Sequence, residues 1–190
     1  MPRTPKQLEK IRHDRRRNIM EVALEVFAEH GYEASSISMI ATRAGVSKGL
    51  MYNYFKSKED LLLSLMENGL NEMVGMIDPN RDGVLTREEF EYLIEGLFNL
   101  MKNRRNFYRL YFALMMQPAV SILFMEKLNS VLEPFLNLFL DYYKDKGAEN
   151  PMLEAVLIGA LFDGIGFNYV FNPGVYPLEE VIEIVKKRFI

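Results

Sequence analysis

Cysteine is absent from this 190-residue chain, and histidine occurs only twice. Without cysteine there is no disulfide framework, no thiolate metal site and no thiol nucleophile. His13 and His30 have no metal-ligand spacing between them, and no serine sits in a nucleophile motif. Gly164-Ile165-Gly166 lacks the third glycine of a dinucleotide loop, because Tyr169 stands there and no strand precedes it. Enzyme chemistry is therefore not expected, and no cofactor is required. Long apolar runs are missing too: the longest, 155–162, falls far short of the ~20 residues of a membrane-spanning helix. The N-terminus is basic but has no apolar segment behind it, so no secretory leader is expected. These absences predict a cytoplasmic protein with no membrane partner.

The charge is unevenly spread. The whole chain carries -3, yet its first twenty residues hold seven Lys/Arg against two Asp/Glu, from Arg3, Lys6, Lys10, Arg12 and Arg15 to Arg17. Such an end gains by displacing counterions from a polyanion, or is simply a solvated, frayed terminus; charge alone leaves both readings open.

Apolar residues recur with helical spacing, and strand alternation is absent. Ile19, Val22, Ala23, Val26 and Phe27 form one stripe, which Gly31 ends. Ser36 and Ser47 are N-caps for short helices at 37–44 and 48–55, and Ser57 to Asp60 opens a longer helix to about Met76. Thr86 to Glu89 forms a capping box before a helix at 90–102; further helices are predicted at 106–116, 119–146, 151–171 and 177–189. The expectation is an all-α fold of about nine helices: an N-terminal three-helix head at 1–60, including its basic arm, and a helical bundle at 61–190.

Residues 37–55 have helix-turn-helix spacing. Ala41 is small enough for two short helices to cross closely, and Gly45 supplies the positive φ of the turn. Ile40, Val46, Met51 and Phe55 are assigned to the interior. That leaves Lys48, Gly49, Tyr52 and Asn53 facing outward: Lys48 suits guanine, Asn53 suits adenine or a phosphate, and Gly49 permits close approach. Ser36, Ser47, Tyr52, Tyr54 and Lys58 suit phosphate oxygens, which set register rather than sequence.

The runs 27–37 and 40–62 resemble the DNA-binding head of the tetracycline-repressor family almost position by position, with mild departures at Leu50 and Tyr54 on the reading helix. The resemblance covers about residues 15–62. It implies a DNA-binding regulator, most often a repressor, that binds a near-palindromic operator and is released by a small effector. It also implies a homodimer built through helices near 151–171 and 177–189, with the two heads about 34–36 Å apart.

Two features stand outside the head. Phe, Tyr and Met crowd the C-terminal region, among them Phe98, Met101, Phe107, Tyr108, Tyr111 and Phe112. They are either plain core or the wall of a pocket for an apolar or aromatic effector; the sequence does not choose the pocket residues. Residues 78–89 match a calcium-loop pattern, with Asp78, Asn80, Asp82, the Val84 carbonyl, Thr86 and Glu89 as candidate Ca²⁺ ligands and Gly83 at the sharp turn. The same residues also describe a capped helix–helix turn. A calcium-sensing helical protein is accordingly the alternative function, although it leaves the basic head unexplained.

Overall fold

The computed structural model describes residues 4–190, apart from the side chains of residues 73, 74, 124, 126–132 and 134. Among the described residues the chain is all-helical: α1 (Pro5–His30), α2 (Ile37–Arg43), α3 (Lys48–Tyr54), α4 (Lys58–Val74), α5 (Arg87–Asn103), α6 (Arg105–Met115), α7 (Pro118–Asp145), α8 (Pro151–Phe171) and α9 (Leu178–Phe189).

Most boundaries follow from local chemistry. The Ser36 and Ser47 hydroxyls accept from the Met39 and Leu50 amides at 3.2 and 3.1 Å, each satisfying a donor that the first turn leaves over. Thr86 and Glu89 form the reciprocal box, which starts α5 three residues before its first buried residue, Phe90. Gly31 and Gly45 take φ of 81° and 66°, the left-handed region that L side chains avoid. The largest departure from expectation is the basic terminus. Thr4 and Gln7 make a second capping box around Pro5, and α1 is helical through Lys6, Lys10, Arg12 and Arg15 to Arg17, while Arg3 lies outside the described residues.

Packing divides the chain into two units, Met1–Gly69 with Leu110–Phe124, and Leu70–Arg109 with Met125–Ile190. In the first, α1 packs on α2 and α2 on α3. Phe27, Ile40, Met51, Phe55, Leu61, Leu62 and Leu65 are buried there. Truncating any one of the two phenylalanines to alanine would cost about 3–5 kcal/mol. The C-terminal half of α6 belongs to this unit. Its Tyr111 hydroxyl donates to the Met66 carbonyl at 3.1 Å, and Gly69 makes room, since a Cβ there would lie 2.6 Å from the Tyr111 ring.

In the second unit α5 packs on α8 and α9. Phe90 is ringed edge-on by Phe139, Tyr142 and Tyr143. Lys186–Glu95 and Lys102–Glu179 pairs, at 2.5 and 2.6 Å, fasten α9 to α5, and Arg104 pairs with Glu72. α8 buries Ala155, Ile158, Ile165 and Val170 and leaves Leu153, Val156, Leu157, Phe167 and Phe171 exposed, an apolar stripe along the helix. Although its unbroken apolar run is short, α8 at 21 residues is long and apolar enough by composition to cross a membrane; the side it buries is committed to the packing of its own unit.

Candidate nucleic-acid interface

α2 and α3 are seven residues each, too short to be stable alone, so their placement is inherited from the packing beneath them. Ile40 and Met51 are fully buried, and Ala41 is 3% exposed. Val46 is only half-buried. Arg43 ties α2 to α1 by gripping Glu29 through two bonds of 2.5 and 2.9 Å, with Glu25 at 3.4 Å. The Arg43 guanidinium holds the Glu29 carboxyl below the usual carboxylate range. On a surface this open the pair fixes orientation more than it adds stability.

With its inner side sealed, α3 presents Lys48, Gly49, Tyr52 and Asn53 to solvent. Tyr52 is 50% exposed, and a Cβ built on Gly49 meets nothing within 4 Å. Both capping serines are exposed; each hydroxyl oxygen accepts from the backbone while its hydrogen is left to donate. Tyr54 is half-buried, its ring 6.4 Å from Phe55. The face therefore combines cationic, amide and hydroxyl donors around a helix start, the chemistry that phosphates and base edges require.

Lys58 behaves differently from the others. Its ammonium donates to the Tyr32, Glu33 and Ser35 carbonyls at 2.9, 3.2 and 3.1 Å and lies 4.3 Å over the Tyr32 ring. An ammonium has three N–H bonds, and all three have acceptors within the head. Its structural duty is to clasp the loop between α1 and α2. Two further contributors carried no sequence signal strong enough to single them out. Arg16 lies 5.0 Å over the Phe55 ring at the end of α3. Gln117, at the turn between α6 and α7, accepts from the Tyr32 amide at 2.7 Å and donates to the Phe27 carbonyl at 3.0 Å. An amide in the otherwise apolar run 110–120 was the available clue.

The 78–89 loop is folded on itself. Asp78 accepts from the Asp82 and Gly83 amides, Asn80 from the Asp82 amide, and Asp82 from the Val84 amide and the Asn80 side chain. Glu89 accepts from both the amide and the hydroxyl of Thr86. Each candidate carboxylate is thus engaged by a donor of the loop itself. Among the described residues no group of three or more His, Cys, Asp or Glu is placed to hold a metal ion. With the Thr86–Glu89 box, these bonds shape the loop that leads into α5.

Residues 19–65 match the tetR family of bacterial regulatory proteins. The chain is 31% identical over 121 residues to the fatty acid metabolism regulator protein of Bacillus subtilis, covering 63% of this chain and 61% of that one. It is 33% identical over 102 residues to the transcriptional activator FasR of Mycolicibacterium smegmatis, covering 53% and 47%. The chain thus spans about half the length of the curated relatives it matches. Among solved structures, the fatty acid degradation regulator FadR of Bacillus halodurans superposes with a TM-score of 0.69 at 24% identity, over 100% of this chain and 96% of that one, a likeness of fold. The FadR of Bacillus subtilis, solved with stearoyl-CoA, gives a TM-score of 0.66 at 25% identity over 91% and 98%. Over residues 19–65 the chain thus resembles the tetR family of bacterial regulatory proteins, and along its length it shares the fold of the fatty acid regulators' solved structures.

Proposed function

We propose that the protein is a DNA-binding transcriptional regulator, a repressor, that binds a near-palindromic operator as a homodimer and lets go when a long-chain acyl thioester binds residues 61–190. The observation that carries the reading is the α3 surface: Lys48, Gly49, Tyr52 and Asn53 open to solvent on a helix whose other side is sealed by Met51. The effector class rests on the relatives, one a fatty acid metabolism regulator and one crystallised with stearoyl-CoA. It also suits a body rich in buried apolar and aromatic side chains such as Leu97, Phe98 and Met101.

A second copy is the partner for the exposed stripe of α8. The small residues Ala160 and Gly164 lie on the same open side as Leu153, Val156, Phe167 and Phe171, so that two such helices can approach closely with bulky side chains above and below the crossing. No metal or other cofactor takes part; calcium added to chelator-treated protein should leave DNA affinity unchanged.

The test is selection of duplexes from a random-sequence pool, followed by fluorescence anisotropy with and without stearoyl-CoA. A palindromic consensus, bound two protomers to one duplex and weakened by the thioester, is expected. Failure to enrich any sequence would refute DNA reading; enrichment with no thioester response would refute the effector class alone.

A further inference from the structure

The loop at residues 31–36 decides where α2 begins, and it is gripped from two sides. Lys58 takes the Tyr32 carbonyl, as described, and Gln117 takes the Tyr32 amide at 2.7 Å. The same Gln117 side chain donates to the Phe27 carbonyl in the last turn of α1, at 3.0 Å. Within the loop, the Ser35 hydroxyl is 2.7 Å from the Gly31 carbonyl. The Tyr32 ring packs edge-on against Phe27, with centroids 5.3 Å apart. A single neutral amide thus joins the end of α1 to the start of the loop, 85 to 90 residues away in sequence.

Only an amide does this cheaply. Glutamine offers a donor and an acceptor at one uncharged tip; leucine offers neither, and an ionised glutamate offers acceptors alone. The turn that carries Gln117 is itself registered. Tyr111, less than two turns earlier on α6, donates to the Met66 carbonyl of α4, and the absence of a Cβ at Gly69 lets its ring lie there. The C-terminal half of α6, which carries Tyr111, packs with the head, so Gln117 is seated in the same unit as the loop it holds.

We propose that Gln117 is a positioning residue for DNA binding: its amide holds the 31–36 loop in the shape that sets Ser36, α2 and α3 for the duplex. The inference rests on the DNA-binding reading above. It assigns the turn between α6 and α7 a part in operator affinity although none of its residues lies on α2 or α3.

The experiment compares wild type, Gln117→Leu and Gln117→Glu by anisotropy on a pool-selected duplex and on a random duplex, between pH 8 and pH 5.5. In Gln117→Leu, affinity for the selected duplex should fall about tenfold, the scale of one or two lost hydrogen bonds, with random-duplex affinity little changed. Gln117→Glu should be equally weak at pH 8, where a carboxylate faces the Phe27 carbonyl. It should regain affinity relative to wild type as pH falls, because a protonated carboxyl again donates there. A purely volumetric role would show no such recovery. Wild-type affinity in Gln117→Leu, or a pH profile of Gln117→Glu parallel to wild type, overturns the proposal. The pH titration compares one protein with itself, so it remains decisive if the leucine variant folds poorly. Should wild type enrich no duplex, the DNA-binding reading falls first, a result separable from either.

Discussion

The cationic start of α1 makes a quantitative prediction about salt. Lys6, Lys10, Arg12 and Arg15 are exposed, and among the described residues none of them has a carboxylate partner, whereas Arg17 pairs with Glu21 at 3.5 Å and Arg16 leans on Phe55. The Thr4–Gln7 box makes this stretch a preformed rod, so little ordering entropy opposes its use. Lys6 and Lys10, four apart, share one side of the rod; Arg12 and Arg15, three apart, share another. Arg15 also borders an open groove with Ala44, Gly45 and Val46 of the helix-turn-helix. A duplex lying against one side meets two cations, and each neutralised phosphate contributes about 0.9 to the slope of log affinity against log salt. Replacing Arg12 and Arg15 by glutamine should therefore flatten the slope by about 1.8 per protomer. Between 50 and 200 mM salt that is roughly a tenfold smaller loss of affinity per protomer. Lys6→Gln with Lys10→Gln should flatten it less, being on the side away from the turn. Base preference should not change in either. Salt titrations by anisotropy measure this directly. If wild type and both double variants share one slope, the rod does not touch the duplex and the reasoning is refuted.

Three other outcomes are expected. Gly49→Ala should keep or raise thermal stability, by up to about 1 kcal/mol from helix propensity, because its Cβ enters open space; on the proposed DNA-binding reading, where the duplex fills that space, operator affinity should drop. Calorimetry and anisotropy on one preparation separate the two effects. Lys58→Met should lower stability by about 1–2 kcal/mol through three lost carbonyl bonds and weaken operator binding while leaving the salt slope nearly unchanged; a flattened slope would instead mean that the ammonium meets phosphate. Asp163 lies on the open side of α8, yet enough protein surrounds its carboxyl to raise its pKa by desolvation. The packed state then holds its proton more tightly than the unfolded chain, so stability falls as pH rises from the ordinary aspartate value, about 3.9, through the raised one. In the proposed homodimer a second copy would cover this carboxyl further, so dimers should be tighter at pH 5 than at pH 8, and Asp163→Asn should remove much of that slope in sedimentation equilibrium.

What could be read from sequence was what is local. Ser36, Ser47 and Thr86 announce helix starts because the acceptor lies three residues from its donor, and Gly45 announces the turn because only its φ is unusual. The outward set Lys48, Gly49, Tyr52 and Asn53 follows from helical periodicity once Met51 and Phe55 are assigned inward. Direction and distance were harder. Lys58 has a stem long enough to reach either a phosphate or the loop behind it, and spacing does not say which. Gln117 acts on residues some ninety positions away, so no window of sequence contains its partners. The terminal capping box of Thr4 and Gln7 was hidden inside a charged run that reads equally as a tail. The 78–89 loop is the opposite case: a calcium loop and a capped turn ask for the same residues and the same amide-to-carboxylate bonds, so spacing alone does not separate them.

The packing of Leu110–Phe124 with the head has a practical consequence for engineering. A graft of residues 1–69 onto another sensor would sever the head from its own seat, stranding the Phe27 carbonyl and the Tyr32 amide. Working chimeras would need to transplant two discontinuous pieces, or to match the recipient's equivalent of Gln117 to the incoming loop. The head of this chain is consequently less portable than its place at the start of the sequence suggests.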